Sequence, residues 1–312
     1  MKVLFHYDTG EKLRSEVAQL HAQGLDVVCC PEGPPEPFNA EVVDAEVIWH
    51  VLHPSTADVI ERAPALKLIQ KIGVGVNTID LEAAQARGIA VCNMPGTNSR
   101  AVAEMTLLLM LSALRKQPAI ERACRSGQWT VDGTTRESLG EIGGRTVGFI
   151  GFGAVPRILA PMVEAMDARV IYTANGPKAV GYDFLPLDAL LAQADIVSLH
   201  IPLTSATEQL IDRPRLASMK PGALLINTAR GPLVDEQALY EALTDGNLGG
   251  AGLDVFYQEP VAADNPLLSL DNITVAPHVA WLTNETFSRS INIAVKNSLA
   301  VRDASTLVHR IV

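Results

Sequence analysis

Short runs of branched and apolar residues recur along the chain, separated by stretches in which apolar positions return every three or four residues. The first pattern suits strands covered on both faces, and the second suits helices laid across them. In the first third, strands are predicted over 3–6, 27–29, 47–50, 68–70 and 89–92, with helices over 11–23 and 81–87. Gly88 follows the second of these helices as a C-cap signal. One long apolar helix is predicted over 98–115, placed as a spine between two domains. A second series starts at Arg145, with strands predicted over 146–150, 169–173, 196–200, 223–227, 250–255 and 273–276. The segment 284–301 reads as a final amphipathic helix.

Strands alternating with helices predict α/β layering on parallel sheets, and the six strands of the second series predict a doubly wound nucleotide-binding sheet. At 312 residues the chain has room for about two domains. It carries no fixed-period repeat and no Gly/Ser linker, so the boundaries are expected as compact hinges near 94–100 and 280–285. With 48% hydrophobic and 19% charged residues it can bury sizeable cores. Its 35 acidic against 25 basic residues give a net charge of −10, which disfavours nucleic acid and anionic membranes as partners. The four cysteines, Cys29, Cys30, Cys92 and Cys124, show no CxxC spacing and no His/Cys cluster, so no metal site is expected. Cys29 and Cys30 read as strand-end thiols. Asp8 interrupts the N-terminal apolar run too early for a signal peptide, and the greasy segment 105–114 falls short of the roughly 20 residues a membrane span needs. A cytoplasmic setting is expected.

The strand 146–150 runs into Gly151-Phe152-Gly153-Ala154-Val155-Pro156 and then a helical stretch. Gly151 suits a tight turn, Gly153 suits close approach to a pyrophosphate, and the helix start at Ala154 and Val155 offers N–H groups to the anion. Pro156 stands where a third glycine normally allows close helix–strand packing, so a slightly displaced helix is expected. Strand 169–173 ends without the carboxylate that usually meets the ribose 2′-hydroxyl of NAD. Asn175 and Lys178 stand there instead and suit a 2′-phosphate, so NADP is slightly favoured over NAD.

Several further strings occur in order: Gly73-Val74-Gly75-Val76-Asn77-Thr78-Ile79-Asp80, Leu199-His200-Ile201-Pro202-Leu203-Thr204, Ile226-Asn227-Thr228-Ala229-Arg230-Gly231, Gly252-Leu253-Asp254-Val255-Phe256 and Pro277-His278-Val279-Ala280. Together they resemble the D-isomer-specific 2-hydroxyacid dehydrogenase family over nearly the whole chain. The resemblance implies a Rossmann dinucleotide-binding domain, residues 98–283, inserted into a smaller flavodoxin-like substrate domain made of 1–97 and 284–312. It implies hydride transfer between NAD(P)H and C2 of a small 2-keto or D-2-hydroxy acid, with glyoxylate or hydroxypyruvate favoured. It implies Arg230, Glu259 and His278 as the catalytic set: an anchor for the carboxylate, a carboxylate beside the imidazole, and the acid/base. Val74 and Gly75, with Arg230 and His278, are the implied substrate contacts; a Gly-flanked turn also suits an anion on its own account.

Ser99, His200, Pro202, Thr228, Ala229 and Asp254, with Arg230 and His278, complete the implied cofactor wall, with Asp254 facing the nicotinamide carboxamide. His50, His53 and Trp281 are candidates for shaping the substrate pocket. Family habit implies a homodimer, with the 98–115 helix as a candidate interface. The alternatives are a non-catalytic NAD(P)-sensing interaction protein of the same fold and a formate- or phosphite-type dehydrogenase.

Overall fold

Strands form where Val, Ile, Leu and Phe stand in unbroken runs, because a strand covered by helices on both faces has no polar side to present. In the computed structural model, which describes residues 1–33 and 35–312, these runs assemble into two parallel sheets. Each sheet lies in its own unit, one made of Met1–Asn98 with Thr283–Val312 and the other of Ser99–Leu282.

The smaller unit contains β1 (Lys2–His6), β2 (Asp26–Cys30), β3 (Val47–His50), β4 (Leu68–Lys71) and β5 (Ala90–Cys92), all parallel in the order β2-β1-β3-β4-β5. That is the flavodoxin-like order. Leu4, Ile48, Ile69 and Val91 meet in its core. The expected helix 11–23 is an α-helix over Glu11–Ala18 that tightens to a 3₁₀ turn over Gln19–Gln23 and stops at Gly24 with φ of 80°. The C-terminal helix Asn284–Arg302 is fixed to this sheet by buried polar bonds. Trp49 Nε1 donates to Ser298 Oγ at 3.0 Å, and Asn297 Nδ2 donates to Gln70 Oε1 at 2.6 Å. Asn297 Oδ1 accepts from Val308 N at 2.8 Å, so the last residues are tied down as well. A buried amide with its partners in place gives the helix one seating, which an all-apolar contact would not.

The larger unit contains β6 (Thr146–Ile150), β7 (Arg169–Thr173), β8 (Asp183–Phe184), β9 (Ile196–Leu199), β10 (Ala223–Asn227), β11 (Leu248–Leu253) and β12 (Ile273–Val275). Their order is β12-β11-β10-β9-β6-β7-β8, the doubly wound nucleotide-binding arrangement with one further strand. The reversal point lies between β6 and β9, and ligands bind such sheets at the carboxyl ends there. The sequence reading missed β8, whose two residues are too few to show a period. It also placed β11 two residues late. A register shift between Ala223 and Leu224 lets β11 begin at Leu248, and the strand stops at Leu253 because Asp254 turns its carboxylate to the 279–280 backbone.

The long apolar helix, Ser99–Leu114, belongs to this unit and packs into its core. Leu109, Met110 and Ala113 lie with Phe149, Leu224 and Ile226. Leu108 on the opposite side is 57% exposed. Among the described residues no helix is long and apolar enough to cross a membrane.

Candidate active site

The turn after β6 is built as a dinucleotide cradle. Gly151 has φ of +93°, and a Cβ on it would come within 2.3 Å of His200 O, so the crossing of β6 and β9 admits only glycine. Gly153 is exposed, and a Cβ there would meet nothing within 4 Å. The protein does not need that space for its own packing, which fits the close approach of a phosphate group. The helix Ala154–Glu164 begins there, and its first intrahelical bond runs from Arg157 N to Gly153 O at 3.2 Å. The N–H groups of Ala154 and Val155 precede that bond and belong to the positive end of the helix dipole. Pro156 is buried in the first turn, where an N–H is not needed.

Arg230, Glu259 and His278 come together at the carboxyl ends of β10, β11 and β12. Arg230 follows β10 and leads into the 3₁₀ turn Gly231–Leu233. Gly231 lies so close to the Phe256 carbonyl that a Cβ would sit 1.9 Å from it, which pins the Arg230 backbone beside the 256–259 segment. Glu259 Oε1 accepts from Phe256 N at 3.0 Å, and Oε2 meets His278 Nδ1 at 2.6 Å. Burial alone would raise the Glu259 carboxyl. The hydrogen bond and charge of His278, the Phe256 N–H and the Arg230 guanidinium together hold it below its usual range. Burial pushes the Arg230 guanidinium down from its ordinary value, and Glu259 opposes that shift. The arrangement is an oriented imidazole beside a desolvated guanidinium, suited to proton transfer at an oxygen on an anionic molecule.

What places the imidazole is a set of main-chain bonds that the sequence reading did not anticipate. His278 has φ of +56°, an uncommon conformation for a residue with a side chain. Its N–H donates to Asp254 O at 2.7 Å. The Asp254 carboxylate accepts from Val279 N at 2.8 Å and Ala280 N at 3.0 Å, and the Trp281 indole N–H donates back to His278 O at 3.0 Å. Asp254 N donates to Asn227 O at 3.0 Å. The Asn227 side chain donates to Arg230 O at 2.8 Å and accepts from Ala229 N at 3.0 Å. Two buried polar residues, Asn227 and Asp254, thus set the backbones of both Arg230 and His278.

Burial pushes the Asp254 carboxyl up from 3.8 to about 6, against the pull of its two N–H donors and of His278. Within that window the folded chain keeps a proton that the unfolded chain has released. The contribution of Asp254 to stability is therefore expected to fall as pH rises from 3.8 to about 6, while carboxylates held low, Glu259 among them, contribute in the opposite sense. Asp254→Asn should remove that contribution from the slope of melting curves recorded across the window. An unchanged slope would assign the dependence to other groups.

The remaining candidates are distributed as follows. Ser99 is buried at the start of its helix, and Thr228, also buried, shares a hydroxyl contact of 2.9 Å with Thr106. Ala229 precedes Arg230, and Pro202 is exposed on the segment after β9, its carbonyl accepting from Thr207 Oγ1 at 2.7 Å. His200 Nε2 bonds Ser198 Oγ at 2.9 Å, and burial lowers its pKa to about 3, so the ring is neutral. Asn175 and Lys178 are exposed after β7, and Lys178 N donates to Tyr172 Oη at 2.6 Å. The Trp281 indole N–H supports the residue-278 backbone.

Val74, Gly75, His50 and His53 lie in the smaller unit. Gly73 O accepts from Met94 N at 2.8 Å and Val74 O from Asn93 Nδ2 at 2.9 Å. In a trans peptide the N–H points opposite the carbonyl, so the Val74 and Gly75 N–H groups face away from the 93–94 segment. Among the described residues no group of three or more His, Cys, Asp or Glu side chains is arranged to hold a metal ion.

Comparison with known proteins agrees with this geometry. The family model for the D-isomer specific 2-hydroxyacid dehydrogenase NAD binding domain matches residues 107–280. The glyoxylate reductase of Korarchaeum cryptofilum is 38% identical over 268 residues, covering 84% of this chain and 81% of that protein. The D-3-phosphoglycerate dehydrogenase of Archaeoglobus fulgidus is 40% identical over 73% of this chain, but the match spans only 44% of its own length. The crystal structure of the TT0316 protein from Thermus thermophilus superposes with a TM-score of 0.92 at 38% identity, each chain covered in full. The chain belongs to the D-isomer specific 2-hydroxyacid dehydrogenase family and is a nicotinamide-dependent 2-hydroxyacid oxidoreductase.

Proposed function

We propose that this protein reduces a small 2-keto acid, glyoxylate or hydroxypyruvate in preference to larger acids, to its D-2-hydroxy acid, with NADPH favoured over NADH. The observation that carries the reading is the 2.6 Å bond between His278 and Glu259, in one unit with Arg230 and the Gly151–Gly153 turn. The glyoxylate reductase name of the Korarchaeum relative supports the substrate class. A bound reduced nicotinamide supplies hydride to C2. Arg230 pairs with the substrate carboxylate and polarises the keto oxygen. His278 Nε2 passes its proton to that oxygen as it becomes the hydroxyl, and takes a replacement from solvent. Glu259 keeps Nδ1 protonated, which leaves Nε2 as the nitrogen that exchanges. In the smaller unit, the Val74 and Gly75 N–H groups make a turn suited to an anion.

Ala154 and Val155 receive the cofactor pyrophosphate next to Gly151 and Gly153. Ser99, His200, Pro202, Thr228, Ala229 and Asp254 line the nicotinamide half. The preference for NADPH is supported by Asn175 and Lys178 after β7. The acidic residue further on, Asp183, is paired with Arg169 at 2.9 Å. A homodimer through the outward side of the Ser99–Leu114 helix, where Leu108 is exposed, extends the proposal, and a monomeric mass by light scattering would remove that part. Four free thiols fit a cytoplasmic setting, and a disulfide in protein isolated from cells would count against it.

The test is a panel read by nicotinamide absorbance: glyoxylate, hydroxypyruvate, pyruvate and phenylpyruvate with NADPH and NADH, then formate and phosphite with the oxidised cofactors. The expected result is fastest turnover of glyoxylate or hydroxypyruvate with NADPH. Turnover confined to formate or phosphite, or absent throughout, would overturn the reading.

A further inference from the structure

One buried tyrosine of the larger unit touches both the dinucleotide turn and the loop that carries Asn175 and Lys178. Tyr172 stands in β7 and is 1% exposed. Its ring packs on Phe152, the residue between Gly151 and Gly153, with ring centres 4.6 Å apart. The main chain joins the same two segments, since Gly151 N donates to Thr173 O at 2.8 Å. The phenol oxygen reaches the loop: Tyr172 Oη accepts from Lys178 N at 2.6 Å, and its O–H donates to Lys178 O at 3.4 Å. That carbonyl also accepts from Val180 N at 2.8 Å. Gly176, with φ of +149°, and Pro177, whose ring fixes its own φ, lead the chain into this contact. Phenylalanine would serve for packing against Phe152 and Phe184, so packing does not account for the hydroxyl. A buried phenol needs a partner for its O–H, and this one takes the main chain of Lys178. The lysine is thus held by its backbone from the core while its side chain is exposed.

We propose that Tyr172 is a positioning residue for cofactor selection: its hydroxyl fixes the Lys178 backbone relative to the Gly151–Gly153 turn, so that the lysine meets the 2′-phosphate of NADPH. The inference rests on the reading of Asn175 and Lys178 as partners of that phosphate. In NADPH the pyrophosphate and the 2′-phosphate hang on one ribose, so their separation varies little. A site that grips both loses less on binding when its two halves are already tied together. NADH carries a neutral hydroxyl at the same place and presents no anion to Lys178. The clamp therefore acts on one cofactor and not on the other.

Calorimetric titration of the full chain tests this. Tyr172→Phe keeps the ring contacts and removes only the hydroxyl. It should weaken NADPH binding about five- to tenfold and leave NADH binding within about twofold. Adenosine 2′,5′-bisphosphate should lose affinity by the same factor, and AMP should not. Lys178→Met should weaken NADPH binding about tenfold or more, and adding Tyr172→Phe to it should change that affinity by no more than about twofold, because the tyrosine acts through the lysine. If Tyr172→Phe does not fold, 4-fluorophenylalanine in place of Tyr172 fills the space of the hydroxyl without its hydrogen bonds. Equal losses for NADPH and NADH would mark a structural support of the turn and overturn the proposal. So would an unchanged NADPH affinity in a folded variant, or losses that multiply in the double variant. A wild type that binds NADH at least as tightly as NADPH fails the cofactor reading itself, whereas a preference for NADPH that survives Tyr172→Phe fails only this inference.

Discussion

His278→Gln is expected to lower turnover of the preferred keto acid by about 10³- to 10⁴-fold while the affinity for NADPH changes less than about threefold. Glutamine is close to histidine in reach and accepts and donates hydrogen bonds, so the Asp254 and Trp281 bonds to the residue-278 backbone have no reason to break. What disappears is the group proposed to give a proton to the keto oxygen and recover it from solvent. The loss should appear in kcat far more than in KM, because proton transfer belongs to the transition state. Glu259→Gln should be milder, about 10- to 100-fold, since the imidazole remains but its Nδ1 partner at 2.6 Å loses its charge. Retention of near wild-type kcat in His278→Gln would refute the assigned role, whatever happens to Glu259 variants.

Much of this site was legible along the chain because its parts sit where strands end. Arg230, Glu259 and His278 follow β10, β11 and β12, and runs of apolar residues mark those strands in the sequence. The Gly151–Gly153 turn was legible for the same reason, since a strand, a glycine pair and a helix start stand in one uninterrupted string. The supports were not. The resemblance marks Asp254 as a cofactor-wall residue, but nothing in its spacing tells that its two oxygens take N–H groups 25 and 26 residues onward. The positive φ of His278 has no local signal either, because glycine or asparagine usually marks that conformation. Here tertiary bonds from Asp254 and Trp281 impose it. β8, two residues long, lies below the length at which alternation shows.

Arg230→Met is expected to lower kcat/KM for the keto acid by about a thousandfold or more, with both a raised KM and a reduced kcat. The guanidinium is assigned two tasks, holding the carboxylate and drawing charge at the keto oxygen, and methionine performs neither. Arg230→Lys should recover little, because an ammonium cannot present the planar pair of donors that grips a carboxylate from two points. The backbone at this position has supports besides the side chain, whose Nη1 donates to Ala229 O at 2.6 Å: Asn227 holds Arg230 O at 2.8 Å, and Gly231 is fixed against Phe256. Both variants should therefore fold with melting temperatures near wild type. Removing Arg230 also takes away one of the charges that hold the Glu259 carboxyl low, so some of the loss passes through the His278–Glu259 pair. A double-mutant cycle with Glu259→Gln separates the two routes. If the losses multiply, Arg230 acts on the substrate alone; if the double variant is little worse than Arg230→Met, the guanidinium and the carboxylate work as one unit. Folded Arg230→Met protein with kcat/KM within tenfold of wild type would remove the guanidinium from the reaction.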